Sequence, residues 1–380
     1  MEQLGYSDSF KDLIRVGKKV ESVTRLEVIP PREICMSCRP LTGDAQPHID
    51  FAAYSHFLNA AGTIVIFDNA RVYPNTGIIQ MKEGHIVAEF IDGLYGKQWQ
   101  LGSRAWDNRD KMKKKMNLKK MMVTALIEPS DYYTWMGNMI SKFYLLMKSG
   151  HWKEIDCFLV ADISQNYQLE TFNAFGITDK ILTVKNLKNI DVINATKTVF
   201  IPTNVLLGKW GCDALRKCFT LFRLPIARQR EWQDYKRIYL SRDDAKYRQV
   251  INEDEVVSFL DKYGFKKVVL STLDVATQVH LFRNAEVVAG PHGSAFTNIT
   301  SCRKGAKIVE FFSTEYAHST YWEMSNYLGL RHGYVSDDGS SRIIENENWG
   351  SEKDMTVNLN RLEKIFKMMH IEKRKERFTK

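Results

Sequence analysis

No run in the sequence approaches the roughly 20 apolar residues that a membrane-crossing helix needs. The opening, MEQLGYSDSFKDLIRV, lacks a basic segment followed by an apolar one. Neither a spanning anchor nor a secretory signal is expected, and the expected compartment is the cytoplasm. Cysteine is sparse and scattered, with six in 380 residues, at 35, 38, 157, 212, 218 and 302. That pattern excludes a disulfide scaffold and suits a reducing compartment. Cys35 and Cys38 form one C-x-x-C, but no second pair and no H-x-x-x-H completes a four-ligand set, so no metal site is expected there. Acidic residues are in deficit: 54 Lys and Arg against 45 Asp and Glu leave a net charge of +9. This fits an anionic partner, whether sugar nucleotide, phospholipid surface or nucleic acid, and charge alone does not choose among them.

What is present is enough apolar material, 44% with 12% aromatic, to bury a large core. A chain of this length is expected to form two domains rather than one. Over the first 100 residues, turn punctuation at 30–31, 42–44, 68–69, 74–77 and 83–84 separates extended runs such as 62–67 and 85–90, which predicts a β-rich opening. Residues 104–120 are strongly basic, with Lys111, Lys113, Lys114, Lys115, Lys119 and Lys120 around Met112 and Met116. A solvated lysine-rich loop or helix face is expected there, with a membrane-surface or nucleic-acid patch as the alternative. After Pro129 helices and strands alternate. Residues 132–148 place Trp135, Met139, Phe143 and Leu146 on one helical face, and strands are predicted at 155–160, 180–184 and 198–201. A second alternating set follows, with strands at 237–240, 267–270, 286–289, 307–311 and 332–335 and helices at 253–263, 275–282, 294–302 and 321–328. Alternation of this kind implies parallel sheets.

The stretch EVVAGPHGSAFTN, residues 286–298, is where chemistry is expected. A short apolar strand runs into Gly290, Pro291, His292 and Gly293, and a helix is predicted to begin near Ser294 and Ala295. The first N–H groups of a helix lack internal partners and suit phosphate, glycine lets a ligand approach the main chain, and His292 adds a donor. In open parallel sheets ligands bind beyond the carboxyl ends of strands, which brings Arg242, Gly290 to Ser294 and Glu310 toward one region.

An ordered set of segments resembles glycosyltransferase family 61: residues 239–245, Arg248 with Asn252 and Glu253, residues 264–265, Gln278 with Leu281 and Phe282, residues 290–295 with Asn298, and Val309 with Glu310. A weaker similarity reaches back through 131–135, 155–156 and 175–177. The resemblance implies an α/β protein of GT-B fold, two Rossmann-like domains facing a cleft with a β-rich N-terminal portion. An acceptor-side domain would span 1–210 (β-rich 20–100, α/β 130–210) and a nucleotide-sugar-binding domain 211–350. Separately from the resemblance, the pattern of 355–380 reads as an amphipathic helix with a basic tail, expected to pack back on the N-terminal domain. The resemblance also implies inverting transfer from a nucleoside-diphosphate sugar, UDP first, to a glycan or polysaccharide of capsule type, with no cofactor and no metal. Arg242, Arg248, Gly290, His292, Gly293, Ser294, Ala295, Asn298 and Glu310 are the donor-binding candidates. Arg248 is expected to begin a helix, with an ordinary salt bridge to Glu253 or Glu255 as the alternative to a donor contact. Glu310 is expected either to accept hydrogen bonds from donor hydroxyls or to serve as a buried structural carboxylate, and Asn298 either to contact the donor or to brace the loop.

Members of the family commonly carry a His just before the Trp of the Tyr-rich segment and an acidic residue one turn later. Here those places hold Thr134 and Asn138, neither an ordinary base near neutral pH. The base candidates by position are therefore Asp131, Asp92, His48 and His151. The expected partners are a nucleoside-diphosphate sugar and a glycan acceptor, with an anionic membrane as a peripheral contact and no nucleic acid. The alternatives are a non-catalytic sugar-nucleotide-binding scaffold and a basic nucleic-acid-binding protein.

Overall fold

Short apolar runs broken by glycine, proline and aspartate turns become two large sheets and a third of two strands, Arg32–Cys35 with His56–Asn59. The computed structural model describes residues 22–35, 39–44, 56–59, 61–74, 78–83, 114–126, 131–161, 163–201, 208–313, 316–337 and 353–374. The expected strand at 85–90 and most of the lysine-rich stretch, 104–113, lie outside them. The strands are β1 Val23–Ile29, β2 Arg32–Cys35, β3 Leu41–Thr42, β4 His56–Asn59, β5 Gly62–Val72, β6 Ile79–Gln80, β7 Lys115–Leu126, β8 Ile155–Val160, β9 Ile181–Thr183, β10 Val192–Phe200, β11 Arg237–Leu240, β12 Lys266–Val268, β13 Val287–Pro291, β14 Lys307–Phe312 and β15 Arg331–Ser336. The main helices are α1 Ile140–Ser149, α2 Asn166–Phe175, α3 Lys209–Cys218, α4 Glu253–Asp261, α5 Val275–Asn284, α6 Thr320–Leu328 and α7 Leu359–Met368. The fold is mixed α/β, and the chain divides into one unit of residues 1–32 and 60–206 and another of 33–59 and 207–380.

In the first unit the strand order is β1-β5-β10-β7-β8-β9, with β6 on β5. The β1, β5 and β10 pairings are antiparallel, and β10, β7, β8 and β9 run parallel. Residues 115–126 are a strand inside this sheet, not the solvated loop or helix expected of the lysines. Along 115–119 exposed Lys115, Asn117 and Lys119 alternate with half-buried Met116 and Leu118, the period of a strand. Asp131 caps a single turn, Tyr132–Thr134, which passes through a π-helical segment, Trp135–Met139, into α1. Trp135, Met139, Phe143 and Leu146 are all buried, as their helical spacing predicts. Phe143 packs edge-on to Trp152 and Phe158 at 5.5 and 5.6 Å.

The second unit is a parallel sheet in the order β12-β11-β13-β14-β15-β3. Its last strand, Leu41–Thr42, comes from early in the chain and pairs with Gly333 and Tyr334. Buried Asp44 fastens it, accepting from the Ser336 hydroxyl at 2.7 Å. The terminal helix α7 packs on this same unit, burying Leu362, Ile365 and Phe366 with Val309, Phe311 and Val335 of the sheet. The sequence pattern suggested packing across the domain boundary onto the first domain; its strongly one-sided apolar face finds its partner strands here instead. No described helix is long and apolar enough to cross a membrane.

Candidate functional site

Strand order places the site. Taken from β11 onward, the five consecutive strands lie 2-1-3-4-5, so the direction of winding reverses between β11 and β13, which pair in parallel through Arg237–Val287 to Tyr239–Ala289. The crevice beyond the carboxyl ends of such a pair is where open α/β sheets bind ligands. Arg242 leaves the end of β11, and His292 to Ala295 leave the end of β13. The two loops meet: Arg242 lays its guanidinium against Gly293, where a Cβ would collide with Nη1. Gly290 serves a different need, since a Cβ there would come within 2.7 Å of the Leu240 carbonyl oxygen.

The segment Ser294–Ser301 is a 3-10 helix rather than the expected α-helix. Its ladder begins with the Phe296 N–H donating to Gly293 O at 3.0 Å, which leaves the N–H groups of Ser294 and Ala295 ahead of it. Ser294 and Ala295 are half-exposed at this end. Asn298 is fully buried and donates to Gln278 Oε1 at 3.1 Å and to Ala295 O at 3.2 Å. It braces the loop from behind, so it is not among the groups that meet a ligand.

Cations gather on the same loops. The Arg242 Nε and Nη2 donate to Tyr247 O at 3.2 and 3.1 Å, and burial, then the nearby Arg248, lowers its pKa from the ordinary value. Arg248 does not begin a helix and does not pair with Glu253, which instead takes Lys267 at 2.6 Å and the Tyr239 hydroxyl at 2.8 Å. It sits at a φ of 57°, costly for a side chain, with its guanidinium 5.2 Å from the ring centres of both Tyr247 and Tyr316. Neither arginine forms an ion pair among the described residues, and Arg248 Nε and Ser313 Oγ are buried without a hydrogen-bond partner. Two nearby guanidinium groups without carboxylate partners, beside unpartnered polar atoms, have the chemistry that suits an anion.

His292 is held behind this cluster. Its Nδ1 lies 2.7 Å from Glu310 Oε1, and the other carboxylate oxygen is 2.8 Å from His332 Nε2. Glu310 is wholly buried with both oxygens occupied, which favours the buried-carboxylate alternative over a contact with donor hydroxyls and makes it the group that orients His292. The histidine hydrogen bonds pull the Glu310 carboxyl below its usual range against the opposing effect of burial. Burial lowers His292. Both directions favour a carboxylate beside a neutral imidazole. Phe312, Tyr316 and Tyr321 surround the His292 ring at 5.4, 5.3 and 5.1 Å.

The base candidates are not brought together. Asp131 is exposed and spends Oδ1 on the Thr134 N–H at 2.9 Å. His151 lies past the other end of α1, with Nδ1 3.1 Å from Glu154. A helix separates them by on the order of 25 Å. Asp92 and His48 fall outside the described residues. Asn138 is buried within the π-helical segment. Sequence reasoning missed His332, Tyr247 and Tyr316. The signal available for His332 was its position on the next parallel strand, where Ile308 pairs with His332 and Glu310 with Tyr334. A surface cavity of about 470 Å³ lined by Lys236, Arg237, Lys266 and Arg374 opens at the opposite, amino ends of β11 and β12 and is separate from this site.

Residues 132–309 match the family model for Glycosyltransferase 61. The match contains Arg242, Arg248 and the whole glycine loop and ends one residue before Glu310. Over 117 residues the chain is 33% identical to the EGF domain-specific O-linked N-acetylglucosamine transferase of Drosophila melanogaster. That stretch is 30% of this chain and 22% of the relative, so the similarity spans about a fifth of the relative's length.

Proposed function

We propose that this chain, a member of glycosyltransferase family 61 over residues 132–309, transfers a sugar from a nucleoside-diphosphate donor to a glycan acceptor. The observation that carries the reading is the meeting of Arg242, Arg248, His292 and the Ser294–Ala295 N–H groups where the second sheet reverses its winding. Negative charge grows on the departing diphosphate as the glycosidic bond breaks. Preorganised guanidinium and N–H donors stabilise that charge most where water is excluded. In this reading the arginines supply the neutralisation that other transferases take from a metal ion, and the transfer is inverting and metal-independent. The second unit is the donor half of a GT-B enzyme, and UDP is the first nucleotide to try. The similarity to an N-acetylglucosamine transferase makes UDP-N-acetylglucosamine the first sugar nucleotide.

A second reading, a sugar-nucleotide binder without turnover, is favoured by Thr134 and Asn138 standing where the family commonly holds a base. One experiment separates the two. Thermal shifts with a panel of nucleoside diphosphates and sugar nucleotides, in the presence of a chelator, rank donors through mass action on the native state. Donor hydrolysis is then followed with the best of them. Turnover with chelator present supports the transferase; binding without turnover supports the scaffold. No shift in wild type at millimolar ligand overturns both.

A further inference from the structure

We propose that a nucleoside diphosphate enters this site together with one proton, taken from solvent by His292 Nε2, with Glu310 as the positioning residue that decides which nitrogen receives it. The inference rests on the reading of the glycine loop as a diphosphate site and adds to it a stoichiometry that the reading does not require.

The argument is one of lone pairs. An ionised carboxylate only accepts hydrogen bonds. Glu310 therefore takes the N–H of His292 Nδ1 on one oxygen and that of His332 Nε2 on the other. In neutral His292 the remaining nitrogen, Nε2, carries a lone pair and no hydrogen. It has no hydrogen-bond partner among the described residues, while the ring is clasped by Phe312, Tyr316 and Tyr321 and is only 6% exposed. A phosphate oxygen brought to it would set lone pair against lone pair. The contact becomes favourable only when an N–H bond forms at Nε2, giving an imidazolium held between the Glu310 carboxylate and the incoming anion.

The groups facing His292 explain why that proton is absent before the ligand arrives. Arg248 and Arg242 stand on the loop after β11, and His318 precedes α6 with its ring 6.2 Å away. Burial first, and then Arg248 and His318, oppose a charge on His292, while Glu310 alone favours it. Tyr316 and Tyr321 add uncharged walls; burial raises the Tyr316 hydroxyl above its usual value and keeps it neutral. A diphosphate reverses the balance by bringing negative charge against the arginines and the imidazole at once.

Titration calorimetry of the full chain tests this with the tightest of UDP, GDP, ADP and CDP. At pH 8, phosphates with a pKa of about 6 are already ionised, so they contribute little. In buffers of different ionisation enthalpy, wild type is expected to take up close to one proton per nucleotide. His292→Asn is expected to bind with no uptake, and His318→Asn to keep it. In Glu310→Gln the pH at which uptake fades is expected to fall by a unit or more, a shift that a purely structural role would not produce. Nucleotide binding without proton exchange in wild type overturns the proposal and leaves the transferase reading standing, as does uptake that persists in His292→Asn. Failure of all four nucleotides to bind wild type overturns both.

Discussion

Gly293 leaves open the space into which Arg242 lays its guanidinium, so these two residues from different strand ends share one position in the crevice. The φ of Gly293 is 173°, extended backbone that alanine adopts freely. Gly293→Ala should therefore cost little in folding and should act by displacing the far end of a flexible arginine. A loss of about 10-fold in nucleotide affinity, worth about 1.4 kcal/mol, is expected. The melting temperature of the free protein should stay within about 2 °C of wild type, as for substitutions away from the core. Calorimetric affinity beside thermal unfolding checks both.

Gly290→Ala should behave in the opposite way. The added Cβ would meet the Leu240 carbonyl oxygen at 2.7 Å and Leu240 Cβ at 2.9 Å, both fixed by a paired strand. Overpacking of this kind costs about 1–3 kcal/mol. A fall of several degrees in melting temperature is expected, with the affinity of the surviving native fraction changed less than in Gly293→Ala.

The contrast between those glycines was not legible in the sequence, where both read simply as permissive. The strand ends were legible, because short β-branched pairs such as Val287-Val288 and Ile308-Val309 lie between charged or glycine residues, Glu286 and Gly290 around the first and Lys307 and Glu310 around the second. Arg242 was legible as a cation at a strand end, and here it lies at the loop. Glu310 was legible only as a choice between a donor contact and a buried carboxylate, because the choice depends on His332, which parallel pairing of β14 with β15 brings alongside from 22 residues away. Lys115 and Lys119 suggested solvated surface, yet with Asn117 between them the polar positions recur every second residue, the period of a strand with one exposed face. Asn298, one turn beyond the loop, was legible as either a donor contact or a brace, and its burial against Gln278 favours the brace.

Acid should loosen the second unit through the same pair. His292 has a folded-state pKa below its unfolded value of about 6.5, so its contribution is complete above that value and fades as pH falls through the folded pKa. Glu310 is likewise depressed, so its contribution is present above about 4.3 and is lost at lower pH still. Melting temperature should decline on going from pH 7 to pH 5. His292→Asn should flatten the upper part of that slope, and an unchanged slope would show that the imidazole is already charged in the free protein.

Asp44 is the predicted weak point for the early strand. Its carboxylate receives the Ser336 N–H at 3.3 and 3.2 Å and the Ser336 hydroxyl at 2.7 Å, all in the interior. Asp44→Ala leaves those donors unpaired, at about 1–3 kcal/mol. Exposed Arg39→Ala is the control and should be close to neutral. Denaturant unfolding followed by far-ultraviolet dichroism distinguishes them.

The last prediction concerns what holds Arg248 in its unusual conformation. A non-glycine residue at a φ of 57° costs on the order of 1–3 kcal/mol and persists only where its surroundings enforce it. The enforcement comes from residues 353–357, which lie along the loop: Gln249 N–H donates to Asp354 at 2.8 Å, and Asn252 both receives the Val357 N–H at 2.9 Å and donates to the Val357 carbonyl at 3.1 Å. Asn252→Ala removes two of those bonds at once. It should lower stability by about 1–2 kcal/mol and, by freeing the loop, weaken nucleotide binding about 5- to 10-fold. Phe366→Ala is the comparison, because Phe366 stacks on Phe265 at 5.6 Å on the sheet rather than on the loop. It should cost more stability, about 3–5 kcal/mol, but leave the affinity of the folded fraction near wild type. If both variants lose affinity only in proportion to their unfolded fraction, Arg248 is held by its own stacking on Tyr247 and Tyr316 and the clamp is dispensable to binding.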